Sequence, residues 1–373
     1  MSTRPEAPHA GTQRPGGRHP GRQQSARQTR AAGSPLIATC VPGLTRMLRD
    51  ELAAGGAEVT GTGFDGRADL VFFQADRAGR AHALQSRLAE DVFAEIGRTS
   101  RAGGASAATV AAAICQPGDA ERALSVWAQE VRPLGGRMTF RVIARVLSER
   151  GFLRTDLRQA MSEVIARQRP RWRHGDPAQL EFWISEWHDG QYAAGLRLSD
   201  ASMRQHGGRA AERRGALRPT VAAAMVALAG PPRGTLLDPC CGSGTVLAEA
   251  VAAGWTSDGA DIDDAAIELA RRNAPGAHVE LGDARELLLP DSSVAACVSN
   301  LPFGKQFQVT GTWPSWIAAV LQELSRVTRT GGQVVLLAPE LPRPAIPAAL
   351  RLRRQVPIRL LGTSATIWVF RRA

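Results

Sequence analysis

The chain has 373 residues, 44% of them apolar and 22% charged, so it can bury sizeable cores, and its length predicts two or three domains. It has no run of roughly 18 consecutive uncharged apolar residues and no apolar N-terminal signal segment, which excludes an integral membrane protein and predicts a cytoplasmic one without a membrane partner. The net charge of +11 favours a polyanionic partner such as nucleic acid, and a solvated basic surface is the alternative.

Residues 1–33 are rich in Arg, Gly, Gln and Pro and almost free of large apolar side chains, so we predict a disordered basic tail. Six arginines in this tail are opposed by a single acid, Glu6. The tail could therefore contact RNA phosphates, and an inert solvated extension is the alternative.

Residues 34–130 show the mixed pattern of a small α+β domain. Short apolar runs predict strands, and apolar residues at helical spacing predict helices. The predicted strands are Leu36–Cys40 and Ala68–Phe73, and the predicted helices are Gly43–Ala53, Ala81–Ile96 and Ala120–Val131.

Residues 131–200 form a second predicted unit, crowded with arginines. Its predicted elements are the strands Met138–Val146, Leu180–Glu186 and Gln191–Leu198 and the helix Thr155–Gln168. The segment Arg-Pro-Arg-Trp-Arg at 169–173 places an aromatic ring between arginines, where it could stack on a base or a ribose. Capping of the local core is the alternative for the tryptophan. The candidate RNA-binding residues here are Arg169, Arg171, Trp172 and Arg173.

A Gly- and Arg-rich linker is predicted at residues 201–217, and residues 218–373 then alternate short apolar runs with helical stretches. This alternation is typical of an α/β, Rossmann-like domain with a doubly wound parallel sheet. Residues 356–373 predict two strands joined by a Gly-Thr-Ser turn, which would add a terminal hairpin. The other predicted strands are Thr235–Asp238, Ser257–Ile262, His278–Leu281, Ala295–Ser299 and Gln333–Ala338, and the predicted helices are Val221–Ala229, Val246–Ala253, Ala265–Asn273 and Ser315–Val327.

A Gly-Ser-Gly turn at 242–244 lies between a predicted strand and a predicted helix, where backbone N–H groups and a helix N-terminus can approach a ligand. The turn lacks the Gly-Lys-Ser/Thr of a phosphate-binding loop, and Leu247 occupies the third glycine position of the dinucleotide fingerprint. Asp238 precedes the turn and would repel a pyrophosphate. A cationic ligand that carries an amine and a sulfonium would suit this carboxylate better.

Two further acids end the next two predicted strands. Asp261 comes 23 residues after Asp238, the usual place for a carboxylate that binds a ribose diol. Asp283 could accept a hydrogen bond from an adenine amino group. Each acid alone is more often a helix cap or a solvated turn residue, but three at successive strand ends favour a nucleoside site.

Four segments together resemble the ordered motifs of S-adenosylmethionine-dependent methyltransferases that act on exocyclic amino groups. The segments are Asp238–Thr245 (DPCCGSGT), Asp261–Asp263 (DID), Gly282–Ala284 (GDA) and Asn300–Gly304 (NLPFG). The helix sequence LRPTVAAAMVALA resembles the one that precedes the first motif in RNA methyltransferases with an N-terminal THUMP domain. The resemblance implies a class I methyltransferase domain preceded by a ferredoxin-like domain and a THUMP RNA-binding domain.

The resemblance also implies residue roles. S-adenosylmethionine would be held by Thr220, Asp238, Cys241, Gly242, Gly244, Thr245, Asp261, Ile262, Asp283, Ala284 and Asn300. The catalytic residues would be Asn300, Leu301, Pro302 and Phe303, with Lys305 near an RNA phosphate or simply at the surface. The Asn300 side-chain oxygen and the Leu301 carbonyl would orient the target amine, Pro302 would fix the bend, and Phe303 would stack on the extruded base.

The sequence NLPFGKQF is most similar to the guanine-N2 branch of this family, in which Asp is common where this chain has Asn300. That departure leaves guanine versus adenine open. We therefore expect a methyltransferase acting on guanosine N2 in RNA, most simply tRNA, without a metal cofactor. The alternatives are an enzyme acting on amino groups in rRNA, small RNA or DNA, and a non-catalytic RNA-binding protein.

The five cysteines indicate neither a metal site nor disulfide bonds. They form no CxxC pair and are odd in number, which argues against a zinc site and a disulfide framework. We therefore predict that they are buried small apolar residues.

Overall fold

A computed structural model describes residues 33–99, 105–147, 151–206, 216–302, 312–360 and 362–373. The predicted tail up to residue 32, most of the predicted linker, Phe303 and Lys305 lie outside the described residues. Residues 32–373 belong to one compact unit.

The first part of the chain folds as a βαββαβ unit with ferredoxin-like topology. Its strands pair in the antiparallel order β2-β3-β1-β4. The elements are β1 (Ser34–Cys40), α1 (Thr45–Ala54), β2 (Glu58–Phe64), β3 (Asp69–Ala75), α2 (Arg77–Leu84) and β4 (Asp91–Arg98).

The predicted helix over Ala81–Ile96 is wrong, because α2 ends at Leu84 and a strand begins at Asp91. The hydroxyl of Ser86 accepts hydrogen bonds from the N–H groups of two following residues, at 3.1 and 3.0 Å, and so competes with helical pairing. Beyond this turn, Val92, Ala94 and Ile96 of β4 pack in the main apolar cluster and Phe93 packs in a separate one, which is the period of a strand. The strand β2 was also missed, because its two glycines and three threonine or glutamate residues give no apolar run.

The next elements extend the same sheet. They are α3 (Ala107–Ile114), α4 (Pro117–Glu130), β5 (Thr139–Arg145), α5 (Arg154–Gln168), β6 (Arg173–His174), β7 (Leu180–His188) and β8 (Gln191–Arg197). Because β8 pairs with β4, a single eight-stranded sheet has the order β2-β3-β1-β4-β8-β7-β5-β6. The two units predicted from the sequence therefore share one sheet across the expected boundary at residue 130.

A short helix, α6 (Ala201–Gln205), lies in the predicted linker, and the C-terminal half then builds a second sheet. Its elements are α7 (Pro219–Leu228), β9 (Thr235–Asp238), α8 (Thr245–Ala252), β10 (Thr256–Asp261), α9 (Asp264–Asn273), β11 (His278–Leu281), β12 (Val294–Asn300), α10 (Trp313–Val327), β13 (Thr328–Ala338), β14 (Leu350–Leu360) and β15 (Thr363–Arg372). Every element predicted for this half is confirmed, including the terminal hairpin β14–β15.

The seven strands of the second sheet have the order β11-β10-β9-β12-β13-β15-β14. The first five are parallel, and the hairpin joins antiparallel to β13. The strand order reverses between β9 and β12, so a crevice opens at the carboxyl ends of these two strands. This position is where open α/β sheets bind ligands.

An ionic contact to a buried carboxylate joins the α2–β4 loop to α8. Arg87, in the α2–β4 loop, donates from Nε and Nη2 to the two carboxylate oxygens of Glu249 at 2.8 and 2.9 Å. His206 Nδ1 lies 2.8 Å from the same carboxylate, and the Glu249 side chain is 3% exposed. The backbone N–H of Arg359 in β14 also donates to the Pro42 carbonyl at 3.1 Å.

Among the helices of the described residues, none combines the length and apolar character needed to cross a membrane.

Candidate functional site

Four polar residues meet at the carboxyl edge of the second sheet. Asp238 ends β9, Asp261 ends β10, and Asn300 ends β12, while Asp283 follows the end of β11. Because the strands are parallel neighbours, residues distant in the chain share one edge. The predicted nucleoside site therefore coincides with the point where the strand order reverses.

The glycine turn lies above β9 and has two left-handed residues, Gly242 with φ of +52° and Gly244 with φ of +81°. A side chain at Gly242 would point into open space, whereas a Cβ at Gly244 would lie 2.9 Å from the Cα of Ala270 in α9. Gly242 therefore fits the predicted role of allowing a ligand to approach. At Gly244 the missing side chain makes room for helix α9, and the predicted contact of this residue with the cofactor stays a prediction.

We expect Gly244→Ala to lower the free energy of unfolding by about 1–3 kcal/mol, because the new Cβ meets backbone and the left-handed φ becomes strained. Thermal or denaturant unfolding measures this change. Gly118→Ala is the matched control: Gly118 lies in α4 at an ordinary helical φ with open space at its Cβ, so alanine should be neutral or slightly stabilising there. Equal stability of both variants would contradict the packing role of Gly244.

Asp261 holds the glycine turn in place. Its Oδ2 accepts a hydrogen bond from the Gly242 N–H at 2.8 Å, and its Oδ1 accepts one from the Asp263 N–H at 3.1 Å. Beside it, Ile262 is 73% exposed, an unusual exposure for a large apolar side chain. A carboxylate next to an open apolar surface suits a nucleoside, whose ribose is polar and whose base is flat.

Asp238 is 1% exposed and accepts two hydrogen bonds, from Ser299 Oγ at 2.6 Å and from the Cys240 N–H at 3.2 Å. The pKa of Asp238 is raised to about 7, chiefly by burial and in smaller part by the nearby charge of Asp261, against the opposing effect of the two donors. Within the described ranges no cationic side chain pairs with Asp238, so this buried acid is a favourable place for the ammonium group of a ligand. Sequence reasoning missed Ser299, since a serine in an apolar strand gives no functional signal.

Asp283 forms an ion pair with Arg285, whose Nη2 donates to Oδ2 at 2.6 Å. The hydrogen bonds and charge of Arg285 lower the pKa of Asp283, so this carboxylate is ionised at neutral pH. Its side chain is 34% exposed and can still accept from a ligand. Ala284 is buried, and it belongs to the apolar cluster that also contains Leu301.

Two buried oxygens of predicted site residues have no hydrogen-bond partner among the described residues: Oδ1 of Asn300 and Oγ1 of Thr220, in the first turn of α7. Unpartnered buried polar atoms are costly, and they favour a bound ligand that supplies the missing donors. Leu301 is 1% exposed and donates its N–H to the Leu337 carbonyl at 3.2 Å, which fixes the chain beyond β12. Pro302 follows directly, and Phe303 cannot be placed because it lies outside the described residues.

Cys241 and Thr245 stabilise the glycine turn from inside. The Cys241 N–H donates to the Ala260 carbonyl at 2.9 Å, its carbonyl accepts from the Gly244 N–H at 2.8 Å, and its side chain packs in an apolar cluster with Leu247. Thr245 begins α8 and is 5% exposed. The structure therefore gives Cys241 a packing role, and its predicted contact with the cofactor stays a prediction.

A second concave feature lies on the N-terminal sheet beside β6. It is a cavity of about 560 Å³, and three arginines line it, Arg137, Arg171 and Arg173. The other lining residues are Met138, Thr139, Pro170 and Gln179. Two of the predicted RNA-binding arginines therefore share one cavity, and Arg137 joins them because β5 and β6 are neighbours.

The predicted base-stacking role of Trp172 is wrong. Its side chain is 6% exposed and lies in the main apolar cluster, with the Arg169 guanidinium 5.5 Å from its ring centre. Arg169 is also paired with Glu121 and does not line the cavity. Both residues therefore contribute to internal packing, which was the alternative for Trp172.

All five cysteines are free thiols: Cys40, Cys115, Cys240, Cys241 and Cys297. Within the described ranges, no three His, Cys, Asp or Glu side chains form a metal-binding group.

Comparison with known proteins identifies related methyltransferases. Residues 206–360 match the family described as "RMKL-like, methyltransferase domain". The chain is 40% identical over 134 residues to the U6 snRNA (guanine-N(2))-methyltransferase THUMPD2 of Mus musculus, an alignment that covers 33% of this chain and 24% of the relative. The chain thus spans about a quarter of the length of this curated relative.

Among solved structures, TrmN from Thermus thermophilus superposes with a TM-score of 0.71 at 25% identity, covering 91% of this chain and 99% of TrmN. The structure of SMU.472 complexed with SAH has a TM-score of 0.66 at 14% identity and covers 92% of this chain and 99% of that one. Both similarities extend over the N-terminal sheet as well as the C-terminal one.

Proposed function

We propose that the chain transfers a methyl group from S-adenosylmethionine to the exocyclic N2 of a guanosine in tRNA, a proposal supported by the match of residues 206–360 to the RMKL-like methyltransferase domain family. The observation that carries the proposal is the unpartnered, buried Oδ1 of Asn300 at the end of β12. It lies one residue from Ser299, which binds the buried Asp238 carboxylate. An acceptor for a target amine and a carboxylate for a cationic cofactor are thus adjacent.

The residues present fit the cofactor. Asp238 would hold its ammonium group, Asp261 its ribose hydroxyls, and the open side chain of Ile262 one face of its adenine. The Thr220 hydroxyl, buried and without a partner among the described residues, would be a further donor or acceptor for the cofactor. When bound, S-adenosylmethionine supplies a methyl group already activated by its sulfonium.

The target amine needs orientation more than deprotonation. Its nitrogen lone pair is delocalised into the purine ring, so it is a poor nucleophile until both N–H groups are held. The Oδ1 of Asn300 and the carbonyl of Leu301 can accept these two hydrogen bonds and direct the lone pair. Pro302 limits the freedom of the chain at this point, and the buried Leu301 side chain anchors it. No strong base is required.

The N-terminal half supports an RNA substrate. Three arginines converge on one cavity there, and guanidinium groups bind phosphates through paired hydrogen bonds. We propose that residues 131–200 act as a THUMP-like RNA-binding domain and that the cavity holds RNA phosphates. This role agrees with the name of the mouse relative and with the coverage of TrmN across this half.

Methyl transfer from labelled S-adenosylmethionine to tRNA, U6 snRNA, rRNA and duplex DNA tests the proposal, with mass spectrometry of the product nucleoside. N2-methylguanosine in tRNA is the expected product. N6-methyladenosine would overturn the base assignment, and product in DNA alone would overturn the RNA assignment. Binding of RNA without methylation of any substrate would favour a non-catalytic protein.

We expect Asp261→Ala to weaken S-adenosylmethionine binding by about 1–3 kcal/mol, because two ribose hydroxyls lose a charged acceptor. Calorimetry measures the change. Asp261→Asn is the matched control, since it keeps an oxygen for the Gly242 N–H and so separates cofactor contact from support of the turn. Unchanged affinity in a folded alanine variant would remove Asp261 from the site.

A further inference from the structure

Ser299 connects the two halves of the site. It lies on β12 directly before Asn300, is fully buried, and donates its hydroxyl to Asp238 Oδ1 at 2.6 Å. The hydrogen bond crosses from β12 to β9, the two strands between which the sheet order reverses. The distance is short for a hydroxyl bound to a neutral group and is typical of a charge-assisted bond to a carboxylate.

The groups that face Asp238 give its charge little other support. Asp261 is the nearby charged group and opposes ionisation, and the Cys240 N–H is the second donor, at 3.2 Å. Burial raises the pKa values of the thiols of Cys240, Cys241 and Cys297, so all three are neutral. Among the described residues, Asp238 is not paired with any Arg, Lys or His side chain.

We propose that Ser299 is a positioning residue that keeps the buried Asp238 ionised and oriented for the ammonium group of the cofactor. This inference rests on the proposed function only for the identity of the ligand. The hydrogen bond itself is a property of the free protein, so it can be tested without cofactor. The methyl group and the target base are not involved.

The sign of the pH effect follows from the burial of Asp238. Its pKa in the folded protein, about 7, lies above the value of roughly 4 in an unfolded chain. The protonated form therefore stabilises the fold below about pH 4, and this contribution is lost as the pH rises to about 7. Removing a donor that favours the ionised form raises the pKa of Asp238 in the folded protein. The stabilising contribution of the protonated form is then lost at a higher pH.

The first test measures unfolding of the full chain without cofactor, as a function of pH, for wild type, Ser299→Ala and Ser299→Thr. In Ser299→Ala, the midpoint of the stability change that Asp238 causes should lie about one pH unit higher than in wild type, because a hydrogen bond to a charged group is lost. Other titrating groups cancel in the difference between variants. Ser299→Thr retains the hydroxyl and should keep the wild-type midpoint.

The second test measures S-adenosylmethionine affinity by calorimetry across pH. Binding to wild type should strengthen as the pH rises through about 7, until the α-amino group of the cofactor itself loses its proton near roughly pH 8, a loss that affects every variant alike. With its midpoint one unit higher, Ser299→Ala should bind about tenfold more weakly at pH 6, about fivefold at pH 7 and equally at about pH 9. A loss that is the same at every pH would show a packing effect and overturn the inference.

The two tests separate the inference from the proposed function. If wild type fails to bind S-adenosylmethionine, the proposed cofactor is wrong while the stability profile still reports on Ser299. If the cofactor binds but neither profile moves in Ser299→Ala, the positioning role is wrong. Should Ser299→Ala not fold, Asp238→Asn gives the same information: it should abolish the pH dependence of cofactor binding near pH 7, and retention of that dependence would exclude Asp238 as the titrating group.

Discussion

Replacing Asn300 by alanine is expected to lower the turnover of RNA methylation by at least about a hundredfold while leaving S-adenosylmethionine affinity nearly unchanged. The amide oxygen is buried and lacks a partner among the described residues, so it contributes little to the folded protein alone. Its hydrogen bond forms with the target amine and matters most while that amine attacks. Single-turnover rates with saturating cofactor measure the effect.

Gln333→Ala provides the matched control for this prediction. Gln333 also carries a buried side-chain oxygen without a partner, but it lies on β13 beside Ala296, away from the carboxyl edge of the sheet. Its loss should leave turnover unchanged. If Asn300 only forms a turn, the alanine variant will instead lose stability and keep its rate per folded molecule, which would contradict the catalytic role.

Replacing Arg137, Arg171 and Arg173 together by alanine should raise the KM for RNA about a hundredfold at moderate salt, without changing cofactor affinity. The three side chains line one cavity, so they can act on the same stretch of phosphates. Loss of three phosphate contacts should also flatten the dependence of log KM on log salt by about two units, at about 0.7 per contact with single-stranded RNA. Steady-state kinetics over a salt series measure both quantities.

The control for the triple arginine variant removes the same amount of positive charge from a surface away from the cavity. Arg351, Arg353 and Arg354 lie on β14 at the far edge of the second sheet, and their replacement removes the same three charges. If both triple variants weaken RNA binding equally, the effect is net charge and the cavity is not a specific RNA site. Arg169→Ala should have a small effect, because Arg169 is paired with Glu121 and packs on Trp172.

The C-terminal fold was predictable because each parallel strand is a short buried apolar run between helices of ordinary amphipathic pattern. The acids at strand ends also follow from local sequence, since a parallel sheet brings its carboxyl ends to one edge. In the N-terminal half the periodicity was ambiguous: the run over Ala81–Ile96 fits a helix until the hydroxyl of Ser86 binds the backbone and breaks it. Local pattern cannot anticipate such competition.

Contacts between residues distant in the chain also could not be predicted from the sequence. Ser299 acquires its importance only when β12 lies next to β9, 61 residues earlier in the chain. Trp172 was predicted to stack on a base because arginines flank it. In the structure its ring is buried in the core, and the arginines on either side of it line the cavity. Cys241 and Gly244 are likewise defined by what packs behind the turn rather than by the motif.

The buried Glu249 limits how this protein can be recombined. Its charge, on the helix that follows the glycine turn, is paired with Arg87 from the α2–β4 loop; because the Arg87 side chain is 40% exposed, loss of this pair should cost less than the roughly 3–5 kcal/mol typical of fully buried pairs. A chimera that grafts a different N-terminal region onto the C-terminal sheet would leave this buried carboxylate without its arginine, with His206 as the ionisable group that still contacts it. Exchange of these regions, in the laboratory or in evolution, therefore requires the new N-terminal region to carry an arginine at the position of Arg87, or Glu249 to be replaced by an apolar residue at the same time.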